Sequence, residues 1–280
     1  MTSQRQRDRR IPGAGTRHGM GHPGAHQFVH EDLKRREGAV DRDHLRVPEV
    51  VFLPGFMQHA DSWSPIAAAV GERYPVRVLD FSTWTFEERV REIRAASGPE
   101  SVVVGYSMGG RLALHAALRS SFAGLVVVGA SAGIEDADER RRRREADSEL
   151  ADWIERHSIE EVVARWERNP VFASQSPALV EAQRPGRLDH DPAALARLLR
   201  SAGQGARGPI WDRLGSLPMP VLALAGQHDS TYWTAARRIA SLVPHSRALA
   251  IAGAGHAAHL EEPAAVGDAI MAFIGEFWGL

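Results

Sequence analysis

The chain has 280 residues, 44% of them hydrophobic and 25% charged, with a formal net charge of −1, the make-up of one large globular domain or two small ones. That balance leaves no global field directed at nucleic acid or an anionic membrane. No apolar run approaches the roughly 20 residues of a membrane span, and the first residues lack the apolar core of a secretion signal. Cysteine is absent, which excludes disulfides, thiol chemistry and cysteine-ligated metal and fits a reducing cytoplasm.

Residues 1–46 are rich in Arg, Gly and His and poor in large apolar side chains. Such a segment buries too little surface to offset its ordering entropy, so it is expected to be mostly disordered, or an extension upstream of the natural start. Its histidines (His18, His22, His26, His30) lack a defined ligand spacing. No metal or cofactor is expected.

From Val47 to the end, short apolar runs alternate with helical patterns. Strands are expected at Glu49–Leu53, Val76–Asp80, Ser101–Tyr106, Gly124–Val128, Val221–Ala225 and Ala248–Ile251. Helices are expected at Asp61–Gly71, Phe86–Ala96, Arg111–Leu118, Thr231–Leu242 and Pro263–Phe277. Continuous apolar strands separated by helices indicate an α/β fold, a mostly parallel sheet covered on both faces. Between about 134 and 214 the strand signal stops and charge rises. Helical periodicity runs through Glu139–Glu149, Ile159–Arg168 and Pro192–Ala202. An insertion of that length between two strands reads as a helical cap over the C-terminal edge of the sheet, where open α/β sheets place their sites.

Ser107 stands in Gly105-Tyr106-Ser107-Met108-Gly109, between an apolar strand and a helix. Small residues two places to either side allow a tight turn. The turn lifts the hydroxyl to a helix N-terminus that favours developing negative charge. A serine needs a neighbour to take its proton, and two later strand ends carry suitable groups. Asp229 follows Val221–Gly226, and His256 sits in Ala252-Gly253-Ala254-Gly255-His256. In that order Asp229 would orient His256, and His256 would accept the Ser107 proton. Asp229 also suits the N-cap of the helix near Thr231. His59, His115, His228 and His259 are the competing bases. The backbone N–H groups of Met108 and Phe56 are the expected oxyanion donors.

Arg111 lies about one turn beyond Ser107, and Arg140–Arg144 are five consecutive arginines on a cap helix. At about 100° per residue five in a row sweep the whole circumference, so at least one must face the protein. Inward guanidinium groups above a serine site suit a carboxylate-bearing substrate.

From about Val50 to Ile274 the chain resembles the MenH branch of the α/β-hydrolase superfamily, the 2-succinyl-6-hydroxy-2,4-cyclohexadiene-1-carboxylate synthases of menaquinone biosynthesis. The resemblance rests on Gly105-Tyr106-Ser107-Met108-Gly109-Gly110-Arg111 and on Glu139-Arg140 through Arg143 to Asp147. It rests also on Trp166 with Pro170-Val171-Phe172-Ala173-Ser174-Gln175, and on Gly253-Ala254-Gly255-His256-Ala257-Ala258-His259. It implies a lyase that takes a ring proton from 2-succinyl-5-enolpyruvyl-6-hydroxy-3-cyclohexene-1-carboxylate and eliminates pyruvate. It also implies carboxylate binding by Arg111, Arg143 and Arg187, with Tyr106 and Trp166 lining the site. Arg184 is an alternative to Arg187 in a stretch that reads as irregular. The chain departs from the family pattern at Pro54-Gly55, where His-Gly is usual, and at Asp80–Trp84, where a Gly-His-Gly type loop is missing. The same triad would equally serve a serine hydrolase working through an acyl-enzyme.

Overall fold

The computed structural model describes residues 47–278, so the expected extension at 1–46 lies outside the described residues. Six strands form one parallel sheet: β1 (Glu49–Leu53), β2 (Val76–Val78), β3 (Ser101–Tyr106), β4 (Gly124–Val128), β5 (Val221–Gly226) and β6 (Ser246–Ile251). Their order is β2-β1-β3-β4-β5-β6, and every neighbouring pair is parallel. All six C-terminal ends therefore share one edge.

The apolar runs follow from burial on both faces. Along β3, Val102 and Val104 belong to one core while Val103 belongs to the other, as the two-residue period of a strand requires. On one face Trp63, Ile66 and Val70 join Val266, Ile270 and Phe273. These come from the 3-10 turn Ala60–Trp63, α1 (Ser64–Gly71) and a helix near the C-terminus, Pro263–Trp278. The other face is covered by α2 (Phe86–Ala96), α3 (Met108–Ala117) and the helix Ser230–Leu242, through Val90, Ile93, Leu112 and Ile239.

Between β4 and β5 lie α4 (Ala137–Ile154), α5 (Ile159–Trp166), α6 (Pro177–Leu188) and α7 (Pro192–Ala202). Each start is capped by a side-chain oxygen on a backbone N–H: Asp136, Ser158, Ser176 and Asp191, satisfying donors that have no intrahelical partner. Helices α4, α5 and α7 share a core of Ala151, Ile154, Val162, Val163, Leu195 and Leu199, which Met57 from the loop after β1 also enters. After β5 come α8 (Ser230–Leu242), α9 (Ala258–Glu261) and α10 (Pro263–Trp278).

Two expectations need correction. The stretch holding Arg184 and Arg187 is helical, not irregular. Pro185 lies inside α6, and a proline that removes an interior hydrogen bond hides the helical pattern. The helix expected from Asp61 is a 3-10 turn followed by α1, because Pro65 suits the first turn of the second segment. Among the described residues no helix is long and apolar enough to cross a membrane.

Candidate active site

Ser107 sits between β3 and α3 with φ +49°, a strained region for a residue carrying a Cβ. Close backbone approach enforces the turn. A Cβ on Gly105 would lie 2.7 Å from the Gly109 carbonyl, and one on Gly109 would lie 2.5 Å from the Pro54 oxygen. The Ser107 N–H donates to the Val128 carbonyl at 2.8 Å, pinning the apex to β4.

The three groups expected from the sequence converge. The Ser107 hydroxyl lies 3.1 Å from His256 Nε2, and His256 Nδ1 lies 2.7 Å from Asp229 Oδ2. A carboxylate only accepts, so Nδ1–H donates to Asp229 and leaves Nε2 bare to receive the serine hydrogen. Asp229 also caps α8, its Oδ1 accepting the Tyr232 N–H at 3.2 Å. The two bonds use different oxygens, so capping α8 does not compete with the contact to His256.

Two neighbours fix the imidazole. Gly129 has φ +58°, and a Cβ there would stand 3.2 Å from His256 ring atoms. Glu261 accepts the N–H groups of Gly255 at 2.8 Å and Ala257 at 3.0 Å.

Ser107 and His256 open into a cavity of about 1060 Å³ that Arg111, Arg143, Trp166 and Tyr232 also line, together with Phe56 and Met108. Met108 is the first residue of α3, so its N–H has no intrahelical acceptor. A smaller cavity of about 60 Å³ shares Ser107 and His256 and adds Tyr106 and Arg187. The expected arginines thus divide, Arg111 and Arg143 on the large cavity and Arg187 on the small one.

Their charges are balanced differently. Arg187 is 4% exposed and pairs with Glu167 at 3.2 Å, while Arg184 pairs with Glu167 and Glu181 and is 42% exposed. Arg187 is therefore the one placed toward the serine. Arg143 donates to Asp147 at 2.8 Å. Arg111 is buried and donates only to the carbonyls of Ala202 at 2.7 Å and Gly203 at 3.3 Å. Among the described residues no carboxylate forms an ion pair with it. Burial pulls its pKa down, but a guanidinium keeps its proton. The result is a cation at the cavity wall whose direct partners are two carbonyl dipoles, with Asp147 acting on it only through space.

The five-arginine run sorts as its helical sweep requires. Arg142 and Arg143 line the cavity, Arg140 and Arg144 donate to backbone carbonyls, and Arg141 pairs with exposed Asp138. Of the competing bases, two are held neutral by burial: His115 falls to about 4 and His259 to about 3. His259 packs against Tyr106 and Trp63 at 4.1 and 4.6 Å between ring centroids. Trp166 meets Phe56 edge-on at 5.3 Å. Sequence reasoning passed over Tyr232, Gln204, Glu261 and Gly129. Only the proximity of Tyr232 to Asp229 and of Glu261 to His256 in the chain could have marked any of them.

Residues 50–269 match the model of the Alpha/beta hydrolase family. A 177-residue stretch is 33% identical to a Bacillus subtilis (strain 168) protein provisionally named 2-succinyl-6-hydroxy-2,4-cyclohexadiene-1-carboxylate synthase, covering 61% of this chain and 65% of that one. A Salmonella paratyphi C protein with the same synthase name is 30% identical over 241 residues, covering 80% of this chain and 92% of the relative. Among solved structures, MenH from S. aureus superposes with a TM-score of 0.78 at 27% identity, covering 84% of this chain and 96% of that one.

Proposed function

Because the chain belongs to the alpha/beta hydrolase family and, within it, to the 2-succinyl-6-hydroxy-2,4-cyclohexadiene-1-carboxylate synthases, we propose that it is a lyase of menaquinone biosynthesis that eliminates pyruvate from an enolpyruvyl cyclohexene carboxylate. The observation that carries this reading is the buried Arg111, without an ion-pair partner among the described residues, on the same cavity as Ser107 and His256. A hydrolase of simple esters has no use for such a charge. A substrate bearing several carboxylates completes its pairing, as it completes that of Arg143 and of Arg187 on the small cavity.

The chemistry follows from the geometry. His256 Nε2 takes the Ser107 hydroxyl proton, and Asp229 stabilises the imidazolium that results. The Ser107 oxygen takes the ring proton. The C–H electron pair at C2 becomes the C2=C3 bond, the existing C3=C4 pair moves to C4=C5, and the bond from C5 to the enolpyruvyl oxygen breaks. The departing enolate recovers a proton from His256 and becomes pyruvate. Charge that develops on substrate oxygen during proton removal meets the N–H groups of Met108 and Phe56, a role in which one donor is worth about 10²–10³ in rate. No acyl-enzyme forms.

Incubation with the enolpyruvyl substrate, with pyruvate measured by a coupled dehydrogenase, tests the proposal. Stoichiometric pyruvate release is expected, lost by at least about 10³-fold in Ser107→Ala. Efficient cleavage of a small ester without pyruvate release would replace the lyase reading with the serine-hydrolase one.

A further inference from the structure

Tyr232 lies on the large cavity beside Ser107 and His256, its ring 4.5 Å from the His256 ring. Its hydroxyl accepts a hydrogen bond from the Gln204 amide Nε2. The Gln204 orientation is fixed from the other end, because its Oε1 accepts from Arg143 at 3.3 Å. An amide held by a guanidinium on its oxygen must present N–H to the phenol. The phenol oxygen is thereby an acceptor toward Gln204, and its own hydrogen must go elsewhere.

Nearby protein groups offer that hydrogen little. Arg111 and Arg143 are donors without lone pairs. Asp229 is committed through Oδ1 to the Tyr232 N–H and through Oδ2 to His256. The open direction is the cavity. Burial raises the Tyr232 pKa despite the neighbouring Arg111 and Arg143 charges, so the hydroxyl keeps its proton at neutral pH and remains a donor.

We propose that the Tyr232 hydroxyl is a specificity-determining donor to a substrate carboxylate, forming with Arg111 and Arg143 a single anion subsite that Gln204 aligns. This rests on the reading that the large cavity receives a carboxylate-bearing substrate. Two forked cations bind any anion. A fixed neutral donor on the same cavity adds a direction and favours a planar carboxylate presented edge-on. The chain Asp147–Arg143–Gln204–Tyr232 also ties the cap helix α4 to α8, which carries the acid partner of His256, so the subsite is built from both sides of the cavity.

Tyr232→Phe keeps the ring against His256 and deletes only the hydroxyl. With the enolpyruvyl substrate it is expected to raise KM by about 10-fold or more, the worth of a hydrogen bond to a charged group, while kcat stays within about threefold and the melting temperature is unchanged. Gln204→Leu, which releases the phenol without removing it, is expected to shift KM in the same direction by less. Succinate titrated by calorimetry reads the subsite without turnover, and its affinity should fall by a similar factor in Tyr232→Phe. KM and succinate affinity both within twofold of wild type would overturn the proposal. So would a loss carried chiefly by kcat, which would place the hydroxyl's effect on His256, or a wild type with no saturable succinate binding. If wild type binds succinate through Tyr232 yet releases no pyruvate, the lyase reading fails while the subsite stands.

Discussion

Glu261 holds His256 through the peptide groups on either side of it, accepting the N–H of Gly255 with one oxygen and the N–H of Ala257 with the other. The glycine-rich approach to His256 has no regular structure of its own. Gly255 also lies so close to Ser174 that a Cβ would fall 2.0 Å from its hydroxyl. A single carboxylate thus gives an irregular loop two charge-assisted anchors, which are about twice as strong as neutral ones.

Replacing that carboxylate by an amide leaves one oxygen for two donors and turns an NH2 group toward the other N–H. Glu261→Gln is therefore expected to lower stability by about 1–3 kcal/mol and kcat by more than the folded fraction explains. Comparing kcat per folded molecule with urea denaturation separates the two effects. Full kcat in the folded fraction would reduce Glu261 to a scaffold contact.

Arg143 and Arg141 are two residues apart and differ in surroundings. Arg143 lines the cavity between Asp147 and Gln204, whereas Arg141 and its partner Asp138 are both more than 60% exposed. Arg143 is 43% exposed in the open cavity, and a docked substrate carboxylate would cover it, so Arg143→Ala is expected to cut kcat/KM by on the order of 10²-fold. Arg141→Ala should leave it within about twofold, since exposed pairs contribute little. Equal, small effects in steady-state assays would remove Arg143 from the site.

Stability should fall on the acid side through buried histidine. Burial depresses His259 to about 3 and His115 and His190 to about 4, against 6.5 for the unfolded side chain. Well above pH 6.5 each is neutral in both states and adds no pH dependence. Below it the unfolded chain binds protons that the folded chain refuses, so stability is lost as pH falls toward the folded values. His259→Phe, which keeps a ring beside Trp63 and Tyr106, should shrink the loss between pH 6.5 and 4.5 by about 2 kcal/mol. Parallel wild-type and variant curves in urea denaturation would show that His259 does not titrate in this way.

The serine turn was legible because three constraints coincide in a few residues: an apolar strand, small residues at the turn and a helix start. Asp229 and His256 were legible because each directly follows a strand end, and parallel strands bring those ends to one edge. Charge pairing was not legible. Nothing local in the chain says that Glu167 neutralises Arg187 across 20 positions, or that the partners of Arg111 are two carbonyls more than 90 positions away. Helix α6 was missed because Pro185 breaks the local rule that tertiary packing then overrides. Tyr232 was passed over for another reason. Its ring alone reads as a core side chain, and its hydroxyl gains meaning only from Gln204, which reaches it from the end of the cap.

The turn just past β4 contributes no reacting atom, yet the berth of the imidazole is cut from it. At position 129 the backbone carries a hydrogen where any other residue would thrust carbon toward the ring. Selection for turnover must then act on a place the substrate never visits, guarding a vacancy the size of one methyl group. Attempts to stiffen this enzyme by trading loop glycines for alanine should leave that position alone, however permissive the turn looks.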